Sequence, residues 1–230
     1  MGIKYDPLKV KAWDFFQTLN LALSSRTVYV NGCFGASLDI PKNLIRYTKT
    51  GYNLEHKAEI LAAAAEGHCF GFDCIELVKT TGWWGWKADP TKLYGGAAYK
   101  TNGMPDCSVH AMIRDYCWKG VDIKPGTDVP FLAFLYDKDW SHIAVSIGNG
   151  FAIEATRYGD KPGVRKTYIK HAKHPLIQKN VPVREYDAYA ICRLVDYSGV
   201  WKAIDADGVM TVLTAVPNIT PPVTVEEFKF

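Results

Sequence analysis

Hydrophobic and polar positions change rhythm about halfway along this chain. In the first half apolar residues recur at helical spacing. Leu8, Phe15, Leu19 and Leu23 fall roughly on one face of a segment from Asp6 to Ser24, and Asp6-Pro7 is a helix-start signal. A short apolar strand, Thr27 to Val30, precedes the glycine-rich Gly32-Cys33-Phe34-Gly35. Asn53 is expected to cap a second helix, which runs through Ala62 to Ala65 and ends at Gly67. A new helix opens around Cys74, with Ile75 and Val78 spaced to bury one side. Asp106 is placed to cap a further helix from Cys107 to Trp118, stopped by Gly120.

Strands dominate afterwards. They are expected over Val129 to Tyr136, Ser141 to Ile147, Phe151 to Ala155, Val164 to Ile169 and Ala188 to Val195. Helices first and a meander afterwards predict an α+β domain, N-terminal helices packed on an antiparallel β-sheet, spanning residues 1–197. Residues 198–230 read as a short hairpin, Val200 to Ile204 and Val209 to Leu213 around Asp205-Ala206-Asp207-Gly208. A tail marked by Pro217, Pro221 and Pro222 follows it.

The hairpin from Ser141 to Ala155 carries a histidine at its start and a carboxylate near its end. Strand side chains alternate faces, so His142, Ala144 and Ser146 share one face while Ile143, Val145 and Ile147 take the other. If Gly148-Asn149-Gly150 is a three-residue loop, Ile147 pairs with Phe151 and Ala144 with Glu154. His142 and Glu154 then become diagonal neighbours on one face. A two-residue loop would put Glu154 on the opposite face. Asp139, in the turn before the strand, is the alternative acid.

Cys74 sits in Phe72-Asp73-Cys74-Ile75-Glu76-Leu77-Val78-Lys79, at the expected first turn of its helix. A thiol has an unperturbed pKa of roughly 8.5, and a helix N-terminus or an imidazolium stabilises the reactive thiolate. Its own backbone N–H would be free to serve an oxyanion hole. Alone, such a cysteine is more often a small buried hydrophobe. Together with a histidine and an orienting acid it makes a nucleophile, base and orienter: Cys74, His142 and Glu154. Trp83-Trp84-Gly85-Trp86 either fills core or forms a lip that stacks on substrate. Packing is expected for at least one of its tryptophans, and Trp84 and Trp86 are the candidates for substrate contact.

Composition narrows the classes. A chain of 230 residues with 48% apolar and 13% aromatic residues can bury a substantial core. Its net charge of +3 is far from the basic stripe of a nucleic-acid binder, and no run is long enough to span a membrane. No charged segment leads into an apolar signal core near the start, so the chain is expected to be made without an export signal. Six cysteines without a C-x-x-C pair are expected to be free thiols. His68-Cys69 fits no zinc spacing, so neither metal nor cofactor is expected.

Phe-Asp-Cys-x-x-Leu-Val-Lys resembles the nucleophile motif of NlpC-type peptidases, papain-like bacterial and phage hydrolases of peptidoglycan peptides. Ile123-Lys124-Pro125-Gly126-Thr127-Asp128 resembles that family's lead-in to its histidine strand. His142 to Gly150 resembles its histidine motif, and Glu154 falls where the third polar residue sits. Tyr29-Val30-Asn31-Gly32 is similar to the family's tyrosine-glycine motif. Phe70 to Trp86, Tyr94-Gly95-Gly96 and Asn102 to Asp106 are similar to cell-wall hydrolases of phages that infect Gram-positive bacteria. The likeness covers roughly residues 27–170. Where the family commonly has Ser-Gly after the nucleophile, this chain has Ile75-Glu76, which adds bulk and negative charge near the thiol.

The resemblance implies a papain-like fold and a cysteine endopeptidase or amidase, with Tyr29 assisting the oxyanion. It implies a peptidoglycan stem peptide or cross-bridge as partner. It also implies an endolysin made in the host bacterial cytoplasm that reaches the wall after release. A cysteine acyltransferase or amidase on a non-wall substrate, or a catalytically silent wall-binding or virion component, are the competing readings.

Overall fold

Five apolar side chains at helical spacing, Ala12, Phe15, Phe16, Leu19 and Ala22, form the buried face of α1 (Ala12–Ser24). The computed structural model describes residues 9–198, save 101, 160 and 174–179, together with 203–204 and 210–211. The expected start of α1 at Asp6 lies outside these residues. A two-residue strand, β1 (Val10–Lys11), leads into α1 instead. It pairs in parallel with β12 (Val195–Asp196), so the end of the domain is strapped to its beginning.

A small sheet follows, built from β2 (Arg26–Tyr29), β3 (Phe34–Ser37) and β4 (Cys69–Phe72) in the order β2-β4-β3. The β2/β4 pair is parallel, which requires a crossover. Three helices lie between β3 and β4: α2 (Pro41–Tyr47), α3 (Gly51–Glu55) and α4 (Lys57–Ala65). Asn53 therefore does not cap the alanine-rich helix. It lies within α3 and turns its amide onto the turn after β2. Asn31 N–H donates to Asn53 Oδ1 at 2.8 Å, and Asn53 Nδ2 donates to the Asn31 carbonyl at 2.9 Å. A side-chain amide can satisfy both backbone groups of one residue, and a cap cannot.

The nucleophile segment forms α5 (Cys74–Gly82), and α6 (Val109–Tyr116) comes after a long loop. The cap of α6 is Ser108, whose hydroxyl accepts from Ala111 N–H at 3.3 Å. Asp106, expected in that role, is held by the Lys79 ammonium at 2.6 Å and the Tyr99 hydroxyl at 2.6 Å. A charged donor outcompetes a backbone N–H for a carboxylate.

The larger sheet has seven strands among the described residues. These are β5 (Val121–Asp122), β6 (Phe134–Tyr136), β7 (Ile143–Gly148), β8 (Phe151–Thr156), β9 (Gly163–Ile169), β10 (Val183–Arg184) and β11 (Ala188–Ala190), in the order β10-β9-β8-β7-β6-β11-β5. Its pairs are antiparallel except β10 on β9. The expected strand from Val129 is shortened to β6, because Leu132 takes a left-handed φ of +61° just after Pro130. The expected Ala188 to Val195 strand splits into β11 and β12, with Cys192 bridging Cys117 between them. Helices α1 and α5 pack on this sheet, and the rings of Phe15 and Phe134 meet at 6.0 Å. The fold is α+β.

The expected C-terminal hairpin is present as β13 (Ala203–Ile204) paired antiparallel with β14 (Met210–Thr211). Its turn and the proline-marked tail lie outside the described residues. No helix among the described residues is long and apolar enough to cross a membrane.

Replacing Asn53 by alanine leaves the Asn31 backbone N–H and C=O without their partners. The expected cost is about 1–3 kcal/mol, read as a lower midpoint in chemical denaturation.

Candidate active site

Asp73 opens the site. Its side chain caps α5 by accepting from Glu76 N–H at 2.8 Å, and its other oxygen accepts from Gly32 N–H at 2.7 Å. One carboxylate thus fixes both the start of the helix and the glycine turn after β2. Cys74 follows as the first helical residue, 8% exposed, on the main apolar core. The backbone N–H groups of Ile143 and Ile75 and the Tyr29 hydroxyl are the donors that act on its sulfur. The hydrogen bonds of the described residues leave the Cys74 N–H without an acceptor.

Burial, and then the Asp73 carboxylate, push the Cys74 thiol up to about 12, against the pull of those three donors. The helix N-terminus was expected to favour the thiolate. Here desolvation and an adjacent anion outweigh it. Tyr29 is itself held well above the usual phenol range by burial, then by Cys74 and Asp73, and it stays a hydroxyl donor.

The histidine and the acid meet inside the large sheet. His142 Nε2 lies 2.6 Å from Glu154 Oε2, with His142 7% exposed and Glu154 fully buried. The register is Val145 opposite Ile153 and Ser146 opposite Ala152, which sets Ala144 against Glu154. The loop differs from the expected form. Phe151 pairs with Gly148, so the turn is Asn149-Gly150 and a bulge at Ile147 supplies the odd residue. Two turn residues plus one bulged residue preserve the parity of a three-residue loop.

Tyr186 donates to Glu154 Oε2 at 3.2 Å, and Arg165 Nε donates to Oε1 at 3.3 Å. Burial alone would raise the Glu154 carboxyl. The His142 bond and the charges of His142, Arg165 and Arg184 carry it below the ordinary value instead. The Tyr186 ring stacks beside the imidazole, 6.2 Å between centroids and 13° between planes. Asp139, the alternative acid, is exposed and caps its own turn, accepting from Ser141 N–H at 2.9 Å.

Tyr29, at the end of β2, acts as a donor toward the thiol, and the two tryptophans part company. Trp86 is 3% exposed, donates to the Gly35 carbonyl at 3.0 Å and packs edge-on against Phe70 and Phe72. It fills core and is not placed to touch substrate. Only glycine fits at position 35, where φ is +71° and a Cβ would lie 2.4 Å from the indole nitrogen. Trp83 is also buried, and Trp84 is 54% exposed.

Glu76 does not project toward the thiol. Its Oε1 accepts from the Lys79 ammonium at 2.8 Å, while Asp106 takes the same ammonium at 2.6 Å. Burial, then Asp73, push Glu76 up to about 7, and Asp106 is held below its ordinary value. One buried ammonium between two acids pairs fully with the more exposed one and leaves the other easily protonated.

Asp73 could have been read as a cap from its place before a helical run. Tyr186 carries no such signal, because it lies 32 residues from Glu154, and Arg165 stands on the next strand after a connection too long to fix the register from sequence. All six cysteines are free, and His68 pairs with Asp39. Among the described residues no group of three His, Cys, Asp or Glu side chains is placed to hold a metal ion. Comparison with protein-family models finds no match, and neither curated proteins nor solved structures yield one.

Two outcomes are expected. The alkylation rate of Cys74, followed by peptide mass spectrometry, should climb through the alkaline range with no plateau at neutral pH, and Asp73→Asn should shift the rise downward. For Glu76, a folded pKa above the unfolded 4.5 means stability that is full below 4.5 and is lost as pH rises to about 7. Thermal melts of Glu76→Gln should lack that decline, which amounts to roughly 3 kcal/mol at most.

Proposed function

We propose that this chain is a papain-like cysteine hydrolase of NlpC type that cleaves an amide bond in the peptide part of bacterial cell wall. The supporting observation is convergence on one point. The N–H of Ile143, the residue next to His142, acts as a donor toward the Cys74 sulfur, while His142 Nε2 is committed to a buried carboxylate. Nδ1 is then the nitrogen left to take the thiol proton.

In this reading His142 removes the proton from Cys74, and the thiolate attacks the substrate carbonyl carbon. The Cys74 N–H and the Tyr29 hydroxyl steady the oxyanion. His142 returns the proton to the leaving amine, and water, deprotonated by the same imidazole, releases the acyl group from sulfur. Glu154 orients the ring. The raised thiol fits a resting enzyme in which proton transfer awaits substrate, and Trp84 is the exposed aromatic offered to the wall. The same raised thiol is the observation that favours a catalytically silent wall-binding protein of this fold.

The two separate on purified Gram-positive walls. Wild type should reduce turbidity and release fragments with new amine termini, Cys74→Ala and His142→Ala should not, and Glu154→Gln should retain a fraction of the rate about 10²–10⁴-fold lower. Equal clearing by wild type and Cys74→Ala would remove Cys74 as nucleophile.

A further inference from the structure

Two guanidinium groups stand beside the His142–Glu154 pair, and both are answered by carboxylates. Arg165 Nε donates to Glu154 at 3.3 Å, and Arg184 donates to Asp137 at 3.1 Å. Arg157, three residues beyond Glu154 at the end of β8, is exposed and pairs with no acid among the described residues. Its polar partner among the described residues is a neutral oxygen, the Tyr158 hydroxyl at 2.8 Å.

Arg157 is nonetheless held in place. It lies 5.0 Å from the centre of the Tyr158 ring and 5.9 Å from that of Tyr52. Tyr52 meets Tyr29 edge-on at 5.5 Å, and the Tyr29 hydroxyl acts as a donor toward the Cys74 sulfur. The line of neighbours runs from the guanidinium across two tyrosines to the thiol. The guanidinium is also close enough to pull the Tyr29 phenol down, against the larger effect of its burial. A planar fork of N–H donors, set beside two aromatic rings and paired with no carboxylate among the described residues, is suited to bind a ligand carboxylate bidentately.

We propose that Arg157, framed by Tyr52 and Tyr158, is a subsite for a free carboxylate carried by the peptide next to the amide that Cys74 attacks. This deepens the hydrolase reading and rests on it for the identity of the peptide. The carboxylate has two sources in a stem peptide: the α-carboxylate of an isoglutamyl unit and the C-terminal carboxylate.

The test is calorimetric titration of full-length Cys74→Ala, with and without Arg157→Gln, using the soluble peptide L-Ala-γ-D-Glu-L-Lys-D-Ala. Two analogues accompany it, one amidated at the isoglutamyl carboxylate and one at the C-terminus. One of the two amidations should weaken binding about tenfold or more, which names the source. Arg157→Gln should abolish that discrimination while leaving affinity for the discriminated amide unchanged, and Arg157→Lys should keep part of it. Matching thermal melts of the variants establish that each is folded. Equal affinity for all three peptides, no binding of any, or discrimination that survives Arg157→Gln overturns the subsite. Wall clearing by wild type is scored separately. Clearing without Arg157-dependent discrimination removes the subsite alone, and discrimination without clearing removes the hydrolase reading alone.

Discussion

A carboxylate with no exposure to water, set in a central strand of a sheet, must be answered by donors or it ceases to be charged. Glu154 is answered from three directions: His142 just before β7, Arg165 directly opposite on β9, and Tyr186 just after β10. These partners fix the register on both sides of β8. A slip of one residue on either side would turn Glu154 to the other face and strand its charge. The bulge at Ile147 belongs to the same constraint, because a plain two-residue turn would have made that slip. The imidazole is thereby positioned by the requirement that a buried charge be paired.

Asp73 does the corresponding work where the two sheets approach each other. By accepting from both Gly32 and Glu76 it fastens the turn that follows Tyr29 to the helix that begins with Cys74. The Asn53 amide, clamped on Asn31, holds the same turn from its other side. The arrangement has an electrostatic consequence. The anion that builds the site also opposes ionisation of the thiol beside it, so the resting state keeps its proton on sulfur. Glu76, two residues on, is kept from adding to that opposition by the Lys79 ammonium and by its own ready protonation.

The sequence was most legible where local chemistry sufficed. The helix at Cys74, the three central strands and the shared face of His142 and Glu154 all follow from spacing, and they recur in the structure with ends shifted by a residue or two. It misled where one residue type has several uses. Asn53 and Asp106 both carry cap-forming side chains, yet each is claimed by a stronger or two-fold partner distant in the chain. The tryptophans at 84 and 86 differ by one glycine in sequence, and only the fold sends one outward and the other against Phe70 and Phe72.

The chain by itself therefore determined the helix at Cys74, the order of the central strands and which of their side chains share a face, because these depend on backbone periods of 3.6 and 2 residues. Tertiary structure alone decided which acids are paired, which buried acid is pushed toward protonation, and which cation pairs with no acid among the described residues. Those outcomes depend on desolvation and on charges brought together from positions more than a hundred residues apart, such as Tyr29 and Arg157.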